Sequence, residues 1–198
     1  MAPPFVGLTG GIGAGKSEAL AALARLGAAT LSTDAVVHAL YGEPEVVAAV
    51  TERWGPEVAP GGTVDRAAVA RHAFAAAGER AWLERLLWPR VGARVAAWRA
   101  AEAARTPPPR ALVVETPLLF EAGLQRAYDA TLVVVADEAI RTQRAAARGH
   151  QGIDERTARQ LTQAEKAARA DFIVRNDRDL AALEQELSAV LEKLTATA

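Results

Sequence analysis

No cysteine occurs in the 198 residues. A disulfide framework, a thiolate metal site and a cysteine nucleophile are thereby excluded, and nothing in the chain demands an oxidising compartment. Histidine is nearly as scarce, at three, so a zinc centre has little support. An excess of either charge is missing too: 23 Lys and Arg stand against 24 Asp and Glu. With no global basic field, nucleic acid is not an expected partner. No stretch approaches the roughly 18 uninterrupted apolar residues of a membrane span. The opening MAPPFVGLTGG has no basic region followed by a long apolar core, as an export signal would. A soluble cytoplasmic protein without nucleic-acid or membrane partners is expected, a monomer or weak homo-oligomer built on one substantial core.

Glycine, by contrast, is concentrated near the start, at positions 10, 11, 13 and 15 ahead of a lysine. Glycine is conformationally costly, so such a cluster needs a reason. The spacing Gly10-x4-Gly15-Lys16-Ser17 fits a phosphate-binding P-loop if a strand precedes it and a helix follows. FVGL is a short apolar run before it, and Ala19, Leu20, Leu23, Ala24 and Leu26 recur at helical spacing after it, with Gly27 where a helix stops. In that setting the backbone N–H groups of Gly11, Ile12, Gly13, Ala14, Gly15, Lys16 and Ser17 form an anion nest at a helix N-terminus. Lys16 would reach the β and γ phosphates of a nucleotide, and the Ser17 hydroxyl would ligate magnesium.

Further apolar runs at 28–32, 111–115, 131–136 and 171–174 read as buried strands, with amphipathic segments between them. The alternation predicts an α/β fold with a five-stranded parallel sheet flanked by helices. The interval from 34 to 104 is too long for one crossover. It carries helical patterns at DAVVHALYG, after Pro44, from an Asp65 N-cap, and from about 79 to 104, where Pro89 should kink or divide the helix. The expected organisation is one P-loop domain over 1–198. Segments 1–33 and 105–198 form its nucleotide core, 34–104 a helical substrate lobe over the C-terminal edge of the sheet, and 141–163 a lid.

Three features beyond the loop bear on chemistry. Asp34 stands just past the second strand, where a carboxylate could accept the proton of an attacking hydroxyl or simply cap a helix. Glu115 ends the third strand in VVETPLLFEAG, where it could organise magnesium through water; Leu118 would contact the acceptor, although this apolar turn equally suits packing. Arg141, Arg144 and Arg148 share a helix face, and GHQG interrupts that helix before Asp154. Such arginines suit a lid that neutralises charge in a phosphoryl-transfer transition state. His38 and His72 fall on predicted helices and read as surface or packing residues, and Trp54, Trp82 and Trp98 as core or lobe anchors.

LTGGIGAGKS, Asp34, PLLFE, Arg144 with Arg148, and RQLTQAEKAARADFIVRN together resemble the dephospho-CoA kinase family along essentially the whole chain. The resemblance implies ATP and dephospho-CoA as substrates, a P-loop core, a helical CoA-binding region and a lid. It places the family's proposed base on Asp34, its lid arginines on Arg144 and Arg148, and its adenine-side loop at Asn176; Gln163 and Ala170-Asp171 match its C-terminal pattern. The chain departs from the family where a threonine is common and Glu18 stands, a carboxylate and Ser32, a histidine and Trp88, and a glycine near Asp177. The alternatives are another small-molecule or nucleoside monophosphate kinase and a non-catalytic nucleotide-binding regulator. A GTPase is disfavoured, since NDRD (176–179) has guanine-motif spacing without its lysine.

Overall fold

The first strand, β1 (Phe5–Gly10), is buried at every position, as a strand covered on both faces must be. The computed structural model describes residues 2–147 and 160–197. Within them β1 lies at the centre of a five-stranded parallel sheet with β2 (Ala29–Ser32), β3 (Leu112–Glu115), β4 (Ala130–Val135) and β5 (Phe172–Arg175), in the order β2-β3-β1-β4-β5. Each strand lies within one residue of its expected span. The C-terminal ends of β1 and β4 carry Gly10 opposite Val134, and those of β2 and β3 carry Ser32 opposite Glu115. Ligands of open α/β sheets bind at this edge.

Helix α1 (Lys16–Arg25) packs Ala19, Ala22 and Leu23 onto one sheet face, where Val6, Leu8, Leu132 and Val134 project at the two-residue strand period. It ends in a Schellman arrangement, with Gly27 N–H donating to Ala24 O and Ala28 N–H to Leu23 O. The last helix, α8 (Leu180–Thr197), closes the same core with Leu183, Leu187 and Leu191, each at most 1 % exposed. At about 2 kcal/mol per fully buried leucine, that stripe outweighs the few tenths of a kcal/mol that separate most residues in helix propensity. Tertiary burial holds the helix in place.

Two compact units emerge, one comprising Met1–Ser32 with Arg99–Ala198 and the other Thr33–Trp98. The second contains α2 (Thr33–Leu40), α3 (Pro44–Trp54), α4 (Arg66–Ala75) and most of α5 (Ala77–Ala103). Pro44 occupies the first turn of α3, and Asp65 caps α4 by accepting from the N–H groups of Ala67 and Ala68, both as their sequence positions predict. Trp54 is the anchor of this unit. Its indole packs edge-on to Trp82 and stacks on His72, while its Nε1–H donates 2.6 Å to Glu79. Arg53 donates two further bonds to the same carboxylate. That guanidinium first, and the indole second, hold Glu79 down at a pKa of about 2.

Of the two outcomes expected at Pro89, division of the helix does not occur: α5 runs unbroken from Ala77 to Ala103. A proline inside a helix forfeits one backbone bond and costs about 3 kcal/mol. Here Leu87 is buried, and Leu83 and Leu86 pack against the Trp54 cluster, so burial on the N-terminal side compensates. The Arg90 guanidinium also donates 2.8 Å to the Leu86 carbonyl, adding a bond beside the missing one.

Candidate active site

Residues 11–15 join β1 to α1 as a tight loop closed by Ala14 N–H donating to Gly11 O. Gly13 (φ +75°) and Gly15 (φ +92°) occupy the left-handed region, where a side chain is strained. A Cβ would in addition strike the Arg141 backbone carbonyl at Gly13 and the Asn176 side-chain amide at Gly15. The helix begins at Lys16, so its first-turn N–H groups and positive dipole end face the loop.

The loop carbonyls are held from outside. Lys16 Nζ donates to Gly10 O (3.0 Å) and Gly11 O (3.2 Å), Arg141 Nε donates to Ile12 O (3.0 Å), and Asn176 Nδ2 donates to Ala14 O (3.0 Å). Arg144 Nη1 in turn donates to Asn176 O. Both arginines lie on α6 (Glu138–Ala147), with Glu138 pairing with Arg141 at 2.6 Å. Loop, Lys16, Arg141, Arg144 and Asn176 are thus brought together, with Ser17 exposed in the first turn of α1. Arg148 and Asp154 lie outside the described residues, as does most of the expected lid.

At the end of β3, Glu115 is 6 % exposed and pairs in register with both Leu8 and Ser32. Thr116 N–H extends that pairing to Leu8 O, and its hydroxyl meets the Tyr128 hydroxyl at 2.9 Å. Burial pushes the Tyr128 phenol up, against the lowering effect of that bond. Leu118 is half-buried, while Leu119 and Phe120 are buried, so this apolar turn packs as well as lines the edge. Asp34 lies in the other compact unit, exposed in the first turn of α2. Trp88, in the same unit, leaves 54 % of its surface open.

Sequence reasoning missed Lys166. Its side chain is fully buried, donating 2.8 Å to Pro117 O and 3.4 Å to Thr9 Oγ1, and pairing at 3.0 Å with Glu121. Burial pushes this ammonium below the usual lysine range, and the Glu121 bond and charge oppose the shift. The lysine therefore joins the last residues of β1 to the turn after β3. It projects from α7 (Gln163–Ala167), which opens with a Thr162–Glu165 capping box. Gln163 anchors the same helix by a two-way bond to the Ala136 backbone. The sequence signal was faint: a lysine followed three residues later by an arginine in a short helix reads as a solvated face.

Magnesium needs oxygen donors, and it is commonly held by one or two protein groups together with substrate phosphates and water. Ser17 at the loop and Glu115 at the sheet edge have that chemistry. Among the described residues no cluster of three His, Asp or Glu is placed to cage an ion, so the phosphates and water would supply most ligands.

A strand, an anion nest with its lysine, a helix N-terminus and a parallel sheet in this order define a P-loop kinase fold. Solved structures share it: a Thermus thermophilus protein (TM-score 0.79, 33 % identity, 98 % of this chain and all of that one) and a Campylobacter jejuni dephospho-CoA kinase (TM-score 0.71, 21 % identity, 98 % of both). A shikimate kinase from Acinetobacter baumannii has the fold at greater distance, with a TM-score of 0.52. The family model described as Dephospho-CoA kinase matches residues 4–182. A curated dephospho-CoA kinase from Deinococcus radiodurans is 42 % identical over 98 % of this chain and 94 % of its own length. The chain belongs to the dephospho-CoA kinase family.

Proposed function

We propose that the protein is an ATP-dependent kinase that transfers the γ-phosphoryl group of ATP to the ribose 3′-hydroxyl of dephospho-CoA, giving coenzyme A and ADP. The observation that carries the reading is family membership across almost the whole chain. The bond between the β–γ bridging oxygen and the γ-phosphorus breaks, and the 3′-oxygen forms its replacement. The hydroxyl proton passes to a base, for which Asp34 is the candidate. In such transfers catalysis is mostly positioning and charge stabilisation. The nest from Gly11 to Ser17 would hold the phosphates, and Lys16 would leave the Gly10 and Gly11 carbonyls to meet the β and γ oxygens. Arg144 and Arg148 would offset charge on the moving group, and Arg141 and Leu118 would line the acceptor's approach. Magnesium held by Ser17, with Glu115 nearby through water, would neutralise phosphate charge.

The segment from Thr33 to Trp98, with its own core, is the candidate acceptor-binding unit. A monomer or weak homo-oligomer in the cytoplasm is the corresponding setting. Among the described residues no helix is long and apolar enough to cross a membrane. The test is ADP release from Mg-ATP with dephospho-CoA, nucleoside monophosphates, pantothenate or adenosine as acceptor. Release that depends on dephospho-CoA, matched by coenzyme A, is expected. Turnover with another acceptor alone would reassign the substrate, and ATP binding without any turnover would favour a regulator.

A further inference from the structure

Asn176 follows β5 and is only 5 % exposed. Its three described bonds all point to neighbouring chain segments. The backbone N–H donates 2.8 Å to Val135 O, the backbone carbonyl accepts from Arg144 Nη1 at 3.0 Å, and Nδ2 donates 3.0 Å to the Ala14 carbonyl. The last bond matters because of peptide geometry. The Ala14 carbonyl and the Gly15 N–H belong to one planar trans unit and point in opposite directions. Fixing the carbonyl outward on Asn176 therefore turns the Gly15 N–H away from Asn176, toward the interior of the nest. Gly15 itself, at φ +92°, is kept free of a Cβ by the close approach of that same amide. Arg141 acts likewise one turn of the loop earlier, holding Ile12 O and so orienting the Gly13 N–H.

We infer that Asn176 is a positioning residue: its side-chain amide sets the Ala14–Gly15 peptide so that the Gly15 N–H meets phosphate, and its backbone carbonyl seats Arg144 beside the loop. This rests on the nucleotide reading of the site and changes one part of it. The resemblance puts Asn176 on the adenine side, whereas its buried amide is committed to the loop and acts on the phosphates through it.

The experiment is equilibrium binding of Mg-ATP, inorganic tripolyphosphate and adenosine to the full-length wild type, Asn176→Ala and Asn176→Asp. The alanine leaves a buried carbonyl without its donor, and the near-isosteric aspartate sets an oxygen against it. Losing such a partner weakens tripolyphosphate and ATP binding together, by roughly ten-fold, more for the aspartate, with adenosine unchanged. Adenosine weakened with tripolyphosphate unchanged would make Asn176 a base contact and overturn the inference. Unchanged binding of all three would overturn it as well. Independently of the variants, the Gly15 amide proton of the wild type should move downfield on adding tripolyphosphate and stay in place with adenosine; no shift with tripolyphosphate would also refute it. A wild type that binds neither ATP nor tripolyphosphate would instead bring down the nucleotide reading itself.

Discussion

Replacing Lys166 by methionine removes a buried charge while keeping a side chain of similar length, so packing changes little and the electrostatic consequence is isolated. The ammonium has three N–H donors, and three acceptors surround it: Pro117 O, Glu121 Oε1 and Thr9 Oγ1. In the variant the Glu121 carboxylate keeps, among the described residues, one bond, from Leu161 N–H, while its Oε2 is buried without a hydrogen-bond partner among them in the wild type already. Removing one partner of a buried pair costs about 3–5 kcal/mol. In a chain of this size each kcal/mol lowers Tm by about 2–4 °C, so a fall on the order of 6–20 °C is expected. Adding Glu121→Gln removes the stranded charge. It should recover most of the loss, leaving about 1–2 kcal/mol for the carbonyl and amide groups without partners. Urea unfolding followed by far-ultraviolet circular dichroism is the suitable assay. All four tryptophans, at 54, 82, 88 and 98, belong to the other compact unit and would report on that one. A Lys166→Met protein within 1 kcal/mol of wild type, or a double variant no more stable than the single, would refute the reasoning.

The Glu79 carboxyl titrates near 2 in the folded chain, against 4.5 ordinarily. Its stabilising contribution is complete above about 4.5 and lost as pH falls toward about 2. Tryptophan fluorescence should show acid loosening of the Trp54 cluster in that window, and Glu79→Gln should be less stable at neutral pH with a flatter acid profile; an unchanged profile would count against the network. Asp34→Asn should lower turnover by roughly two to four orders of magnitude with ATP affinity little changed, and equal turnover would remove Asp34 as the base. Lys16→Ala should weaken ATP binding and turnover together, as measured by calorimetry and coupled ADP release; an unaffected enzyme would contradict the P-loop assignment.

Much of the unit that holds the sheet was legible along the chain because its signals are local. A run such as FVGL reads as a buried strand in its own sequence, and the glycine spacing before Lys16 announces a nest because backbone conformation is decided within a few residues. The cap at Asp65 and the stop at Gly27 are local for the same reason. By sequence alone, then, the chain determined its five strands, its phosphate loop and its family. The order β2-β3-β1-β4-β5 was settled by long-range pairing. The same holds for Pro89, whose helix survives because distant side chains bury the turn before it, and for Asn176, whose partner at Ala14 lies 162 residues away. Lys166 is the sharpest case. Within QAEKAARAD it is one lysine on a short helix, and its partners Thr9, Pro117 and Glu121 reach it from across the sheet edge. A charge can be buried only where the fold brings acceptors to it, and that convergence exists in three dimensions alone.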